Sequence, residues 1–152
     1  MSLPGRRLFQ YRAADERGNG RPKLRPVTAG GVNRYLKEIT GERHTSKDLR
    51  TFGGTVRAAT ILADIGPAKS PAEGKRNVNL AVKLVAHELG NTPSICRKAY
   101  IHPAVLEEYE KAGHTVETVR SRRDNGAKVA AEEPVGYYEE EVALMHFLER
   151  YG

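Results

Sequence analysis

The sequence has 152 residues, of which 39% are hydrophobic, and a formal net charge of +6. This size suits one globular domain with a real hydrophobic core, and the single cysteine, Cys96, excludes an internal disulfide. No stretch approaches the roughly 20 apolar residues of a membrane span, and the opening MSLPGRRLF lacks the apolar run of a secretory signal, so we expect a soluble intracellular protein.

The charge is distributed unevenly along the chain. Residues 1–100 contain 19 Lys and Arg against 8 Asp and Glu, a charge of +11, whereas residues 101–152 contain 6 against 11, a charge of −5. Clustered cations favour a polyanionic partner such as nucleic acid, because they release counterions from a phosphate backbone. A solvated basic surface has the same charge balance, so charge alone leaves both interpretations open.

The N-terminal part predicts little regular structure before residue 28. RLFQY at residues 7–11 alternates weakly and predicts a short strand, and residues 14–26 have the composition of a Gly/Pro-rich loop. From Thr28 an apolar stripe with helical spacing predicts an amphipathic helix that ends at Gly41. The stripe consists of Val32, Tyr35, Leu36 and Ile39.

The next helix is predicted to start at Thr45, whose pairing with Asp48 has the character of a capping box. Its apolar residues recur at spacings of three and four, as a core-facing stripe requires, up to Gly66 and the proline after it. The stripe consists of Leu49, Phe52, Val56, Ala59 and Ala63. Gly53 and Gly54 cost about 1 kcal/mol each relative to alanine, so a close approach of either a packed helix or a DNA backbone should compensate.

A long helix is predicted at about residues 70–89, with Gly90 as its left-handed C-terminal cap. Its inner face consists of Val78, Val82, Val85 and Leu89. Thr92 and Pro93 are typical of the cap and first position of another helix, which places Asn91 in a tight corner between the two.

Two more helices are predicted at about residues 103–112 and 136–151. The polar, charged residues 116–134 between them are expected to be partly mobile. The predicted fold class is therefore mainly α, with at most a short N-terminal strand.

Lys47 and Arg50 are the first candidates for anion binding. They lie three apart near the start of a predicted helix, so they share a face at its positive end, where an anion is favoured. Arg50 is the stronger candidate, because a guanidinium can hold two phosphoryl oxygens whereas Lys47 acts as a point charge. Two solvated surface cations remain the alternative.

Asn91 and Tyr100 each have a structural and a chemical interpretation. Asn91 is either a turn residue bonded to its own backbone or an amide donor to a phosphoryl oxygen. Tyr100 follows the cations Arg97 and Lys98 and is either a core aromatic or a nucleophile held beside the anion that Arg50 binds.

The sequence offers little competing chemistry. The five histidines include no pair at a convincing metal-ligand spacing, and no Ser/His/Asp order or Cys/His pair stands out. The candidate site therefore indicates phosphoryl chemistry without a metal or cofactor.

Two motifs carry a resemblance to a known family. KDLRTFGGTVRAA at residues 47–59 and LGNTPSICRKAYIHP at residues 89–103, in this order and spacing, resemble the C-terminal catalytic half of the poxvirus-like bacterial type IB DNA topoisomerases. LFQY at residues 8–11 and PVTAGGVNRYLKEITG at residues 26–41 resemble what precedes the first motif in that family. The resemblance covers roughly residues 5–110 well and the tail more loosely.

The resemblance implies both an activity and roles for the candidate residues. Such enzymes nick one DNA strand through a 3′-phosphotyrosyl bond, let the duplex swivel and reseal it, without metal or ATP. By position, Tyr100 would be the nucleophile, Arg50 a clamp on the non-bridging phosphate oxygens, and Asn91 a donor where many relatives have a histidine. Lys47, Arg97 and Lys98 would contact DNA, and the protein would be cytoplasmic, bacterial and nucleoid-associated.

The family also uses parts that this sequence does not match. These are an upstream arginine, a general-acid lysine on a β-hairpin and an N-terminal clamp domain. Lys23 is placed by the resemblance in the loop before the helix at Thr28, so it is not assigned as the general acid. Residues 1–152 are therefore expected to be a single domain, the C-terminal part of a larger topoisomerase, which is incomplete alone.

Two alternatives remain open. A tyrosine recombinase shares the helical scaffold and the tyrosine nucleophile but normally has a HxxR motif, where this chain has KDLR at residues 47–50. A DNA-binding fragment that is inactive on its own would also fit the missing upstream residues.

Overall fold

The computed structural model describes residues 9–13, 23–116 and 138–152. The chain divides into two compact units, residues 1–48 and 49–152, each of which is described by itself. The predicted mobility of residues 116–134 falls almost wholly on residues outside those described. None of the helices within the described ranges is long and apolar enough to cross a membrane.

The first unit contains a two-stranded antiparallel sheet and one helix. Strand β1 (Gln10–Ala13) pairs with β2 (Lys23–Pro26), with Tyr11 opposite Arg25. The predicted strand is confirmed at residues 10–11 and continues to Ala13, whereas residues 7–8 lie outside those described. The loop prediction is wrong for Lys23–Pro26, and its residues 14–22 lie outside those described. Lys23 lies on a strand because residues 23–26 pair with β1 through backbone hydrogen bonds. The local sequence does not indicate this pairing.

Helix α1 (Ala29–Thr40) follows as predicted. The Thr28 side chain accepts a hydrogen bond from the N–H of Gly31, and Gly41 ends the helix in the left-handed conformation with φ 74°. The predicted apolar stripe does not enter a core, since α1 has no buried residue and the Tyr35 and Ile39 side chains are exposed.

The regular structure in the described residues of the second unit is all helical. It contains most of α2 (Ser46–Ile65), followed by α3 (Pro71–Leu89), α4 (Pro93–Ala99), α5 (Pro103–Ala112) and α6 (Glu139–Tyr151). Helix α6 begins at Glu139 rather than residue 136, since Tyr138 is its extended N-cap and the residues before it lie outside the description. Helices α2, α3, α5 and α6 enclose one core that includes Leu62, Val78, Tyr109 and Phe147.

The core face of α2 differs from the predicted stripe. Leu49 and Phe52 are exposed, with 53% and 38% of their surface accessible, so their assignment to the core was wrong. The buried residues of α2 are Gly54, Thr55, Ala58, Ala59, Ile61 and Leu62. Most residues on this face are small, and at Gly54 the backbone of Tyr100 lies where a side chain would be. The apolar spacing of α2 does not reveal this close approach.

Candidate active site

Three helix ends position the candidate residues Arg50, Asn91 and Tyr100. Arg50 lies near the start of α2, and Tyr100 is the C-terminal cap of α4, its N–H donating to the carbonyl of Cys96 at 2.9 Å. Asn91 lies in the corner between α3 and α4, as predicted. Gly90 makes that corner possible, because its φ of 65° is a left-handed conformation that glycine adopts without strain.

The carbonyl oxygen of Leu89 joins Arg50 to Asn91. Arg50 donates to it from Nη2 at 2.7 Å, and Asn91 donates to it from Nδ2 at 3.0 Å. Both side chains are therefore held at one backbone oxygen at the end of α3. One N–H of the Arg50 guanidinium is used in this way, and the fork geometry leaves other N–H groups for a further acceptor.

Tyr100 joins the same group through its ring. The Cζ atom of Arg50 lies 5.0 Å from the centroid of the Tyr100 ring, within the range of a cation–π interaction. The Tyr100 side chain is partly buried and packs against the core. The structure therefore brings Arg50, Asn91 and Tyr100 together. Tyr100 both packs against the core and lies beside the Arg50 cation.

The backbone around Tyr100 is tied to α2 by two threonines that sequence reasoning missed, and it lies closest to α2 at Gly54, where a close approach was predicted. Thr51 donates from Oγ1 to the carbonyl of Ala99 at 3.2 Å, and the N–H of His102 donates to Oγ1 of Thr55 at 3.0 Å. A Cβ built on Gly54 would lie 2.5 Å from the carbonyl oxygen of Tyr100. The signal available in the sequence was two hydroxyls four apart, flanking a glycine pair, immediately after Arg50.

Cys96 is fully buried on α4, one turn before Tyr100. Burial raises the pKa of the Cys96 thiol, and the nearby positive charge of Arg50 acts in the opposite direction. The net upward direction favours the neutral thiol over the thiolate, which is the reactive form of cysteine.

The three residues predicted to contact DNA have different surroundings. Arg97 forms an ion pair with Glu110 at 3.1 Å, which occupies part of its guanidinium. Lys98 is exposed and makes no ion pair with any residue in the described ranges. Lys47 belongs to the first unit and is exposed in the first turn of α2. Their contact with DNA stays a prediction.

The part of the chain that the structure describes has no cluster of metal-ligating side chains. No group of three or more His, Cys, Asp and Glu side chains there could hold a metal ion.

Comparison with known proteins gives two matches. Residues 2–125 match the family described as the catalytic core of eukaryotic DNA topoisomerase I, and this range includes Arg50, Asn91 and Tyr100. The chain is also 34% identical over 113 residues to the DNA topoisomerase 1B of Acanthamoeba polyphaga mimivirus. That alignment covers 72% of this chain and 33% of the viral protein, so the chain spans about a third of the length of this relative.

Proposed function

The chain belongs to the family of DNA topoisomerase I catalytic cores, and from this premise we propose that it is the C-terminal catalytic part of a type IB DNA topoisomerase. Residues 1–152 form a single domain of a longer polypeptide in this proposal. The support for a longer parent is the viral relative, about two thirds of whose length lies outside the alignment.

The proposed reaction is a reversible transfer of a DNA phosphodiester to Tyr100. The phenol loses its proton to solvent as its oxygen attacks phosphorus, the bond from phosphorus to the 5′ oxygen breaks, and the 5′ oxygen leaves as a hydroxyl with a proton from the general acid of the upstream portion. The free end swivels around the intact strand, and the 5′-hydroxyl then attacks the 3′-phosphotyrosyl bond and releases Tyr100. The covalent bond conserves the energy of the phosphodiester, so the cycle requires no ATP.

The observation that carries this proposal is the convergence of Arg50 and Asn91 on the Leu89 carbonyl, beside the Tyr100 ring. Phosphoryl transfer is catalysed chiefly by positioning and by stabilisation of charge on the non-bridging oxygens. Arg50 supplies a permanent positive charge and a fork of donors, and Asn91 supplies a neutral donor that cannot carry charge. Together they fit a phosphate attacked by Tyr100.

Duplex DNA is the proposed substrate and partner, and the upstream portion of the polypeptide is the second proposed partner. That portion would supply the further arginine, the general-acid lysine and the clamp domain that the family uses. The DNA contacts are assigned to Lys47, Lys98 and Arg97, the last by exchange of its pairing with Glu110. On its own, the chain should bind DNA but relax plasmids negligibly, because loss of a general acid typically costs about 10²- to 10⁴-fold.

We place the chain in the poxvirus-like bacterial branch of the family, and hence in a bacterial cytoplasm in association with the nucleoid. The support is the pair of motifs KDLR at residues 47–50 and GNTP at residues 90–93.

Plasmid relaxation tests the function. The full-length polypeptide should relax supercoiled plasmid in the presence of a chelator and without ATP, and Arg50→Ala should slow both strand cleavage and religation by about 10²- to 10³-fold, since one clamp serves both directions. Arg57→Ala is the matched control: Arg57 lies on the same helix, half exposed and paired with Glu88 at 3.0 Å. Relaxation that proceeds equally well with Arg50→Ala would contradict the proposed clamp.

A further inference from the structure

The main chain of residues 99–102 is held on α2 from both sides of Tyr100. On the N-terminal side, the hydroxyl of Thr51 donates to the carbonyl of Ala99 at 3.2 Å. On the C-terminal side, the N–H of His102 donates to the hydroxyl of Thr55 at 3.0 Å. Both threonines lie on α2, the helix that also carries Arg50.

Thr55 is fixed by its own bonding. Its hydroxyl accepts from His102 and donates its proton to the carbonyl of Thr51 at 2.6 Å, and its surface is only 3% accessible. A buried hydroxyl with both roles filled has one orientation, so it defines where the His102 N–H lies along α2. The contact therefore fixes the position of the residue 99–102 main chain along α2, in addition to its distance from α2.

Gly54 sets the depth of the same contact. With no Cβ, it lets the carbonyl oxygen of Tyr100 approach the backbone of α2, and any side chain there would lie 2.5 Å from that oxygen. The neighbouring Gly53 has nothing within 4 Å of a built Cβ, so this close approach belongs to Gly54 alone within the pair.

We propose that Thr51, Gly54 and Thr55 are positioning residues that hold Tyr100 in register with Arg50. Since Arg50 and this trio lie on one rigid helix, any slip of the Ala99–His102 main chain along α2 changes the distance from Tyr100 to the Arg50 guanidinium. An error of about 1 Å in such a geometry can cost about 100-fold in rate. The inference rests on the proposed function and adds to it the residues that align the nucleophile.

Three variants of α2 separate positioning from packing. Thr55→Val removes the hydroxyl and keeps the shape, and Thr55→Ser restores the hydroxyl and removes the methyl group. Thr60→Val is the matched control, because Thr60 donates to the carbonyl of Val56 at 3.0 Å in the same manner as Thr55 to Thr51. The measurement is the single-turnover rate of covalent adduct formation by the full-length polypeptide, with the religation rate and DNA affinity measured in parallel.

We expect Thr55→Val to slow cleavage and religation by the same factor, about 100-fold, with DNA affinity unchanged. Thr55→Ser and Thr60→Val should react at the wild-type rate. Should Thr55→Val fail to fold, Thr51→Val removes the other tie and should slow both steps by about tenfold.

Wild-type rates in Thr55→Val, or in Thr51→Val if that variant is needed, would overturn the inference. So would an equal loss in Thr55→Ser, which would trace the effect to the methyl group. A wild-type polypeptide that forms no adduct through Tyr100 would overturn the proposed function, and this inference with it. If the wild type is active and Thr55→Val is unaffected, only the inference is overturned.

Discussion

Gly53 and Gly54 are adjacent on α2, and the same substitution should have opposite effects on stability at the two positions. Alanine is favoured over glycine inside a helix by about 1 kcal/mol, and this gain applies to both. A Cβ at Gly53 meets nothing within 4 Å, so Gly53→Ala should stabilise the second unit by about 0.5–1 kcal/mol.

At Gly54 the added carbon would lie 2.5 Å from the Tyr100 carbonyl oxygen and 3.3 Å from Cδ1 of Leu89. An ordinary carbon–oxygen contact is about 3.3 Å, so the α4–α5 corner must move by about 0.8 Å. The obstacle is main chain and cannot rotate away, and overpacking of this kind costs about 1–3 kcal/mol. After the helix gain is subtracted, Gly54→Ala should destabilise by up to about 2 kcal/mol.

Urea unfolding of the two variants and the wild type, followed by circular dichroism, measures these differences. The predicted order of stability is Gly53→Ala, then wild type, then Gly54→Ala. If Gly54→Ala proves as stable as Gly53→Ala, the close approach of Tyr100 to α2 is not a feature of the folded protein, and Gly54 does not position Tyr100.

Tyr109→Phe should destabilise the protein by about 1–3 kcal/mol in the same unfolding assay, because the buried hydroxyl donates to Gly66 at 2.7 Å and accepts from Asn77 at 2.8 Å. Hydrogen bonds from Thr45 lower the pKa of Asp48 below its ordinary 3.8, so its contribution to stability is present above that value and is lost as the pH falls through the lower folded-state pKa. Lowering the pH below about 4 should therefore reduce the melting temperature of the wild type more than that of Asp48→Asn. Parallel curves of melting temperature against pH would refute this. DNA affinity, measured by fluorescence anisotropy, should fall about a thousandfold between about 50 and 200 mM salt if ~6 phosphates are contacted, and a flat response would remove the electrostatic basis of binding.

Local signals in the sequence predicted most helix boundaries. The reciprocal bonds between Thr45 and Asp48, at 2.9 and 3.3 Å, and the left-handed caps at Gly41 and Gly90 depend on residues only a few positions apart, so the pattern was sufficient. Strand β2 was missed because its own residues show no strand-like alternation, and it is held by hydrogen bonds to β1.

Burial and the contacts of the site were less predictable. The exposure of Leu49 and Phe52 depends on which face of α2 the other helices cover, and spacing along one helix does not decide this. The gathering of Arg50, Asn91 and Tyr100 was expected from the family resemblance. Their shared acceptor, the carbonyl of Leu89, has no signature in the sequence, since every residue has a backbone carbonyl.

The identity of the residue that bonds to DNA tests the central claim most directly. The full-length polypeptide would be incubated with plasmid, trapped with denaturant, and digested with nuclease and trypsin before mass spectrometry. Cleavage after Lys98 and Lys111 gives a peptide with Tyr100 and Tyr109, of which Tyr109 is a buried internal control with 1% of its surface accessible. We predict a nucleotide on Tyr100 and no adduct from Tyr100→Phe; an adduct that survives this substitution, or a nucleotide on another residue, would contradict the account.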